Sequence, residues 1–310
     1  MKKQLLIIAA SLSLMPVGNL FAVQNQTFIK STETLIAKNI SHSNHNESLM
    51  EKGDKKYKSK DYKGAITDYS KILINNPNDF HALFQRALAK SYLNDHLGAI
   101  KDYTKAIEID PEYASAFYNR GLSKDKIDDT YGAISDFNKA IAIDGKYQKA
   151  YIYRGYAKSD IGDHEGAIKD LTSAIEIKPE DAYGYSARGY VKERAGDYYA
   201  AISDYSKAIK IDPDDYYSFA GRGYAKGQIG DNKGAIIDFT KAIELNPDDS
   251  YSFFGRGVIN KISGNYDLAC DDWIKSSDLG YEGADKKANE CKNTDHVKKN
   301  IQELLSSQNY

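Results

Sequence analysis

The chain has 310 residues, with 42 Lys plus Arg against 44 Asp plus Glu and a net charge of −2, so no basic excess marks a nucleic-acid binder. Hydrophobic residues make up 41%, enough for a folded core and too many for a disordered chain. Two cysteines exclude a disulfide-dense scaffold and a four-thiolate zinc site.

Lys2 and Lys3 precede an apolar run from Leu5 to Val17, and the small residues Gly18 and Ala22 follow before Val23. A charged start, a short apolar stretch and a small residue at the cut predict a secretory signal peptide over residues 1–22. The run is shorter than the roughly 20 residues a spanning helix needs, and nothing later in the chain approaches a membrane span. The expectation is an exported protein, periplasmic or secreted; a tether formed by an uncleaved N-terminal segment is the alternative. Residues 23–45, rich in Ser, Thr, Asn and His, read as a flexible linker.

From residue 46 the chain repeats itself. Gly64-Ala65-Ile66 returns as Gly98-Ala99-Ile100, Gly132-Ala133-Ile134, Gly166-Ala167-Ile168, Ala200-Ala201-Ile202 and Gly234-Ala235-Ile236, then fades into Leu268-Ala269-Cys270. The step is 34 residues throughout, which divides residues 46–283 into seven repeats: 46–79, 80–113, 114–147, 148–181, 182–215, 216–249 and 250–283. A fixed period of this length predicts a stacked array in place of two globular domains. With each repeat numbered in columns 1 to 34, bulky apolar residues fill column 4 and small residues column 8, one helical turn apart. Columns 20, 24, 27 and 28 keep the same spacing, so each repeat holds helix A over columns 2–14 and helix B over columns 18–31. Column 15 is Lys60, Asn94, Asp128, Gly162, Gly196, Gly230 and Gly264, mostly types that tolerate the left-handed conformation ending a helix. Column 16 is Asp six times and Asn265 once, suited to the start of helix B. Proline at column 32 stops helix B in five of the seven repeats.

The large residue at column 4, glycine at column 8, alanine at 20, aromatic at 24, alanine at 27 and proline at 32 resemble the tetratricopeptide repeat. Within the pattern, Arg154 to Pro179 looks like the RG…AK…GD…GAI…D…KAI variety common in bacterial proteins. The resemblance implies an all-α fold, a right-handed superhelical solenoid of antiparallel helix pairs.

Two basic stripes run through it. Column 7 is Lys52, Arg86, Arg120, Arg154, Arg188, Arg222 and Arg256; column 11 is Lys56, Lys90, Lys124, Lys158, Lys192, Lys226 and Asn260. Stacked cations invite an anion-binding reading. Column 23, however, is Asp in every repeat, and columns 7 and 23 lie equally far from the turn at column 15. The arrangement predicts an Arg–Asp pair inside each hairpin. Columns 11 and 19 are likewise level, and the usual glycine at 19 leaves room for a lysine stem to pass toward water. Ligand binding by the column-11 lysines stays open.

After Gly283, residues 284–310 carry Ala284, Ala288 and Cys291 on one face and Val297, Ile301, Leu304 and Leu305 on a second, and read as C-terminal capping helices. Cys270 and Cys291 stand equally far from the Leu279-Gly280-Tyr281 turn, which predicts a disulfide, with two buried thiols as the alternative.

The six His are scattered, and no metal, cofactor or nucleophile–base constellation emerges. The chain reads as a non-enzyme without cofactor. In the family it resembles, columns 2, 5, 9, 12 and 13 of helix A line the concave face. Transferred column by column, these give Tyr183, Tyr217 and Tyr251 (column 2), Phe84, Tyr118, Ile152 and Phe254 (column 5), and Leu88, Leu122, Tyr156, Tyr190 and Tyr224 (column 9). Tyrosines of this kind either line a recognition groove or pack against the next helix A. The expected function is an interaction scaffold holding a protein or peptide segment, with no nucleic-acid partner. The alternative is an envelope assembly factor that binds a folded partner through its outer face.

Overall fold

One residue in the left-handed region sets the turn inside each hairpin. Column 15 has φ of 65° at Lys60, 62° at Asn94 and Asp128, and 82–85° at Gly162, Gly196, Gly230 and Gly264. The chain reverses there, and the next aspartate caps helix B. In repeat four, Asp163 Oδ1 accepts the Gly166 N–H at 2.9 Å, and the same bond forms at Asp61, Asp95, Asp129, Asp197 and Asp231. An orphan helix-start donor is thereby satisfied.

The computed structural model describes residues 46–293. The predicted signal peptide, the linker and the last apolar face, Val297 to Leu305, lie outside the described residues. The described part is helical throughout and divides into two compact bodies after Ile109. The first holds helices 46–58, Tyr62–Asn75, Phe80–Tyr92 and His96–Ile109. The second begins with Ala114–Asp125, Thr130–Ile143, Gln148–Asp160, His164–Ile177, Ala182–Arg194 and Tyr198–Ile211. It continues through Tyr216–Gln228, Asn232–Leu245, Ser250–Ile262, Tyr266–Asp278, the short 3₁₀ turn Glu282–Ala284 and helix 285–293. In each body antiparallel pairs stack in series, and in the second each helix A also touches the next helix A. Most helices run one residue ahead of the predicted columns.

The core follows the column pattern. Column 20 alanines are fully buried, and the column 24 rings and Leu171 lie beneath them, from Tyr69 and Tyr103 to Phe239 and Trp273. Column 27 is closed to solvent as well, from Ile72 to Ser276.

The buried column-23 aspartates take up both basic stripes. Arg–Asp pairs form in repeats two to seven, as in Arg120–Asp136, Arg154–Asp170 and Arg222–Asp238. The lysine stripe is a correction to the sequence reading. Lys90, Lys124, Lys158, Lys192 and Lys226 do not pass on to water; each Nζ bonds the same aspartate at 2.7–2.9 Å. A carboxylate has about four lone-pair sites and the arginine fork uses two, so a second cation from one turn along is accommodated. In repeat one Lys56 and Lys71 hold Asp68; burial pushes its carboxyl up, but their hydrogen bonds outweigh that and keep it below the usual range. In repeat seven Asn260 Nδ2 takes the lysine's place at 3.1 Å.

At the C-terminal end, Cys270 and Cys291 are bonded, with Cα atoms 5.5 Å apart. Ala284 on the 3₁₀ turn and Ala288 and Cys291 on helix 285–293 are buried, and Cys291 packs in one cluster with Trp273.

Candidate functional site

Column 5 decides where the helix-A face is filled and where it is open. Phe84, Tyr118 and Ile152 are buried, so these three expected groove residues belong to the packing, a second correction. A bulky side chain at column 5 enters the seam against helix B: the Phe84 ring meets Tyr103 at 5.7 Å, and Tyr118 meets Phe137 at 6.0 Å. Ile152 sits in the cluster with Leu171 and Val191. In repeats five and six the column shrinks to Ser186 and Ala220. Beside Ala220, Gly221 yields further space to the Tyr205 ring, which a Cβ there would approach to 2.4 Å.

The result is a cavity of about 880 Å³ on the second body, lined by Tyr156, Tyr183, Ser186, Tyr190, Tyr205, Tyr216 and Tyr217 with Glu180, Asp181, Asp212 and Asp215. A recess of about 210 Å³ shares Tyr190, Tyr205, Tyr216 and Tyr217 with it and adds Glu193, Asp249 and Tyr251. Of the twelve sequence-predicted groove residues, the cavity and recess bring together Tyr156, Tyr183, Tyr190, Tyr217 and Tyr251. Four of the five are exposed, Tyr217 the most at 65%. Tyr156 is half-buried and serves both predicted roles, lining the cavity while its ring stands edge-on to Tyr183 at 6.5 Å and Tyr190 at 6.0 Å. Tyr224 instead meets Tyr198 at 6.4 Å, and Phe254 packs on Tyr281 at 4.9 Å. Leu122 is half-buried outside the cavity lining, and Leu88 is half-buried in the first body.

The electrostatics are one-sided. Burial raises the Glu193 carboxyl to about 7, partly offset by the Tyr205 hydroxyl, which donates to Oε2 at 2.9 Å. Burial also pushes the phenols of Tyr156, Tyr205 and Tyr251 upward, so the rings present neutral hydroxyls. Asp181 and Asp215 accept the N–H groups of Tyr183 and Tyr217 at 3.1 Å, and Asp249 accepts that of Ser252 at 3.2 Å. Among the described residues, none of the carboxylates of cavity and recess has a Lys, Arg or His in ion-pair contact; Lys192, Arg194 and Lys226 are paired instead with Asp204, Asp160 and Asp238.

Sequence reasoning missed Glu193, Tyr205 and Asp249. The signal that could have found them is the break at column 5, where two adjacent repeats lose the side chain that closes the face in the others.

Profiles of the tetratricopeptide repeat match residues 92–124, 148–181, 182–215 and 216–249. The fold is similar to the crystal structure of a tetratricopeptide repeat protein from Parabacteroides merdae, with a TM-score of 0.66 and 18% identity over 80% of this chain and 97% of that one. The chain carries tetratricopeptide repeats. This tetratricopeptide repeat protein is also similar to the crystal structure of MamA, at 29% identity and TM-score 0.51, covering 55% of this chain and 93% of that one. Yeast Tom70 shares the fold at 20% identity and TM-score 0.59, over 88% of this chain and 60% of that one. No curated protein sequence matches the chain. Tetratricopeptide repeat proteins are scaffolds that bind protein or peptide partners. Among the described residues of this one, no helix is long and apolar enough to cross a membrane.

Proposed function

We propose that this protein is a non-catalytic interaction scaffold whose second body holds an extended partner segment against its tyrosine-lined helix-A face. The observation that carries the reading is the cavity of about 880 Å³, within the size range of ligand sites and walled by exposed tyrosines. Tyrosine offers apolar area and a hydroxyl at the cost of only two rotatable bonds, which suits recognition.

The competing surface is the outer face, where Tyr131 and Tyr199 are each 74% exposed at the start of their B helices. A photo-crosslinking amino acid placed at Tyr190 or at Tyr199 separates the two. The groove reading expects a partner adduct at Tyr190 that disappears when Tyr183 and Tyr217 become Ala. Adducts confined to Tyr199 would reverse it.

We likewise infer export after removal of residues 1–22. Lys2, Lys3 and the apolar run support it, as does the bonded Cys270–Cys291 pair, since such bonds persist in oxidising compartments. An intact mass for the mature protein that begins at Val23 is the expected result; retention of Met1 would contradict it.

A further inference from the structure

We propose that the recess seats a cationic side chain, lysine or arginine, of the extended segment laid along the neighbouring cavity. The inference deepens the groove reading above and rests on it.

Tyr190, Tyr205, Tyr216, Tyr217 and Tyr251 line the recess together with Glu193 and Asp249. Aromatic faces attract ammonium and guanidinium groups through the ring quadrupole. This protein already uses one of the rings so: the Arg194 guanidinium lies 5.8 Å from the Tyr190 centroid while it is paired with Asp160. The two carboxylates then choose the sign of the ligand. An acidic side chain would meet Glu193 and Asp249 directly, and a neutral one would leave them without a counter-charge in a partly desolvated wall. A cation satisfies both. Outside the recess, Glu180, Asp181, Asp212 and Asp215 continue the same sign along the cavity. The chain as a whole carries a net charge of only −2, so the acidic lining does not simply follow from an acidic chain.

Glu193 gives the inference a second signature. Its carboxyl titrates near neutrality, and the groups that face it are the neutral phenols of Tyr205, Tyr217, Tyr224 and Tyr251 together with Asp249 in the same recess. Lys192, next to it in the chain, is held by Asp204. A cation arriving beside Glu193 favours the ionised form, so binding expels a proton and weakens as the pH falls below neutrality.

The test uses short labelled peptides of one extended sequence that differ only in a central Lys, Arg, norleucine or Glu, titrated by fluorescence anisotropy against the full mature chain. The Lys and Arg peptides are expected to bind about tenfold more tightly than the norleucine peptide, with Glu weakest. The preference should shrink by about threefold or more in Glu193→Gln and in Asp249→Asn, while the norleucine peptide is unchanged. It should also fade with added salt and between about pH 8 and about pH 6. Equal binding of the Lys and norleucine peptides, or a preference that survives both carboxylate substitutions, would each overturn the cation seat; equal binding of free lysine amide and the Lys peptide would overturn the groove reading on which it rests. Tyr217→Ala keeps that outcome apart from failure of the groove. If the peptides bind without charge preference and all weaken in Tyr217→Ala, the groove stands and the cation seat falls. If no peptide binds, or Tyr217→Ala changes nothing, both readings fall together.

Discussion

Arg188 on helix A of repeat five and Asp204 on helix B form a two-point pair, Nε to Oδ2 at 2.8 Å and Nη2 to Oδ1 at 2.7 Å. The remaining nitrogen, Nη1, donates to Thr172 Oγ1 of repeat four at 3.0 Å. One side chain therefore closes its own hairpin and ties that hairpin to the one before it. The same reach connects Arg86 to Ser70, Arg154 to Asn138, Arg222 to Ser206 and Arg256 to Thr240.

Arg188→Met leaves Asp204 with Lys192 alone and should cost about 2 kcal/mol, less than a buried pair broken outright because one cation remains. Asp204→Asn leaves two cations facing a neutral amide and should cost about 3 kcal/mol. Urea denaturation of the full chain reads both. An unchanged midpoint for Arg188→Met would show that the pair is not structural.

Lys60 occupies the column-15 turn with φ of 65°, where four later repeats use glycine. A side chain with a Cβ is strained in that region by about 1–2 kcal/mol. Lys60→Gly regains most of the strain but adds freedom to the unfolded chain, so a net gain of about 0.5–1 kcal/mol is expected. The reverse change, Gly230→Lys, should lower the melting temperature.

Glu193 sets one pH dependence and Asp68 the opposite one. With the Glu193 carboxyl raised to about 7, the folded chain holds a proton that the unfolded chain releases above its ordinary value near 4.5. Its contribution is thus full below that ordinary value and is lost as the pH rises through about 7. Glu193→Gln should remove this slope and stabilise the protein on the alkaline side by on the order of 1 kcal/mol. Asp68, held below its usual range by Lys56 and Lys71, contributes stability above its unfolded value and loses it as acid protonates the carboxyl. Melting temperatures of Glu193→Gln and Asp68→Asn across the pH range should diverge from the parent at opposite ends.

The Cys270–Cys291 bond closes a segment with a sequence separation of 21 over Trp273, the single tryptophan of the chain. Cross-linking a loop of that size stabilises by about 3 kcal/mol in the chain-entropy account. Cys291→Ser should release helix 285–293 at lower denaturant than the rest and shift Trp273 emission to the red before helicity is lost. Coincident transitions would show that the end of the second body unfolds as one with its neighbours.

Periodicity made much of this protein legible without coordinates. A residue recurring every 34 positions meets nearly the same surroundings each time, so Ala65, Tyr69 and Asp61 and their equivalents announce core, gap-filler and helix cap by repetition alone. The Arg–Asp pair was legible for the same reason, being level with its partner inside a single hairpin. The lysine stripe was misread because counting from a turn locates columns 11 and 19 opposite each other, whereas the side chain is long enough to reach column 23 one turn on.

The candidate site belongs to the tertiary structure. An array motif describes what its copies share, and the cavity comes from what two of them lack: Ser186 and Ala220 stand where Phe84, Tyr118 and Ile152 fill the seam in the others. Whether that lost volume becomes an opening depends on which side chains arrive from neighbouring helices. Here Tyr205 crosses from helix B, past Gly221, to reach Glu193, while Asp249 comes from the end of repeat six and Tyr251 from repeat seven. Hydrophobic period acts within one helix, through a spacing of a few residues. The walls of a cavity are set by packing among residues tens of positions apart, and only the folded arrangement decides which of them meet.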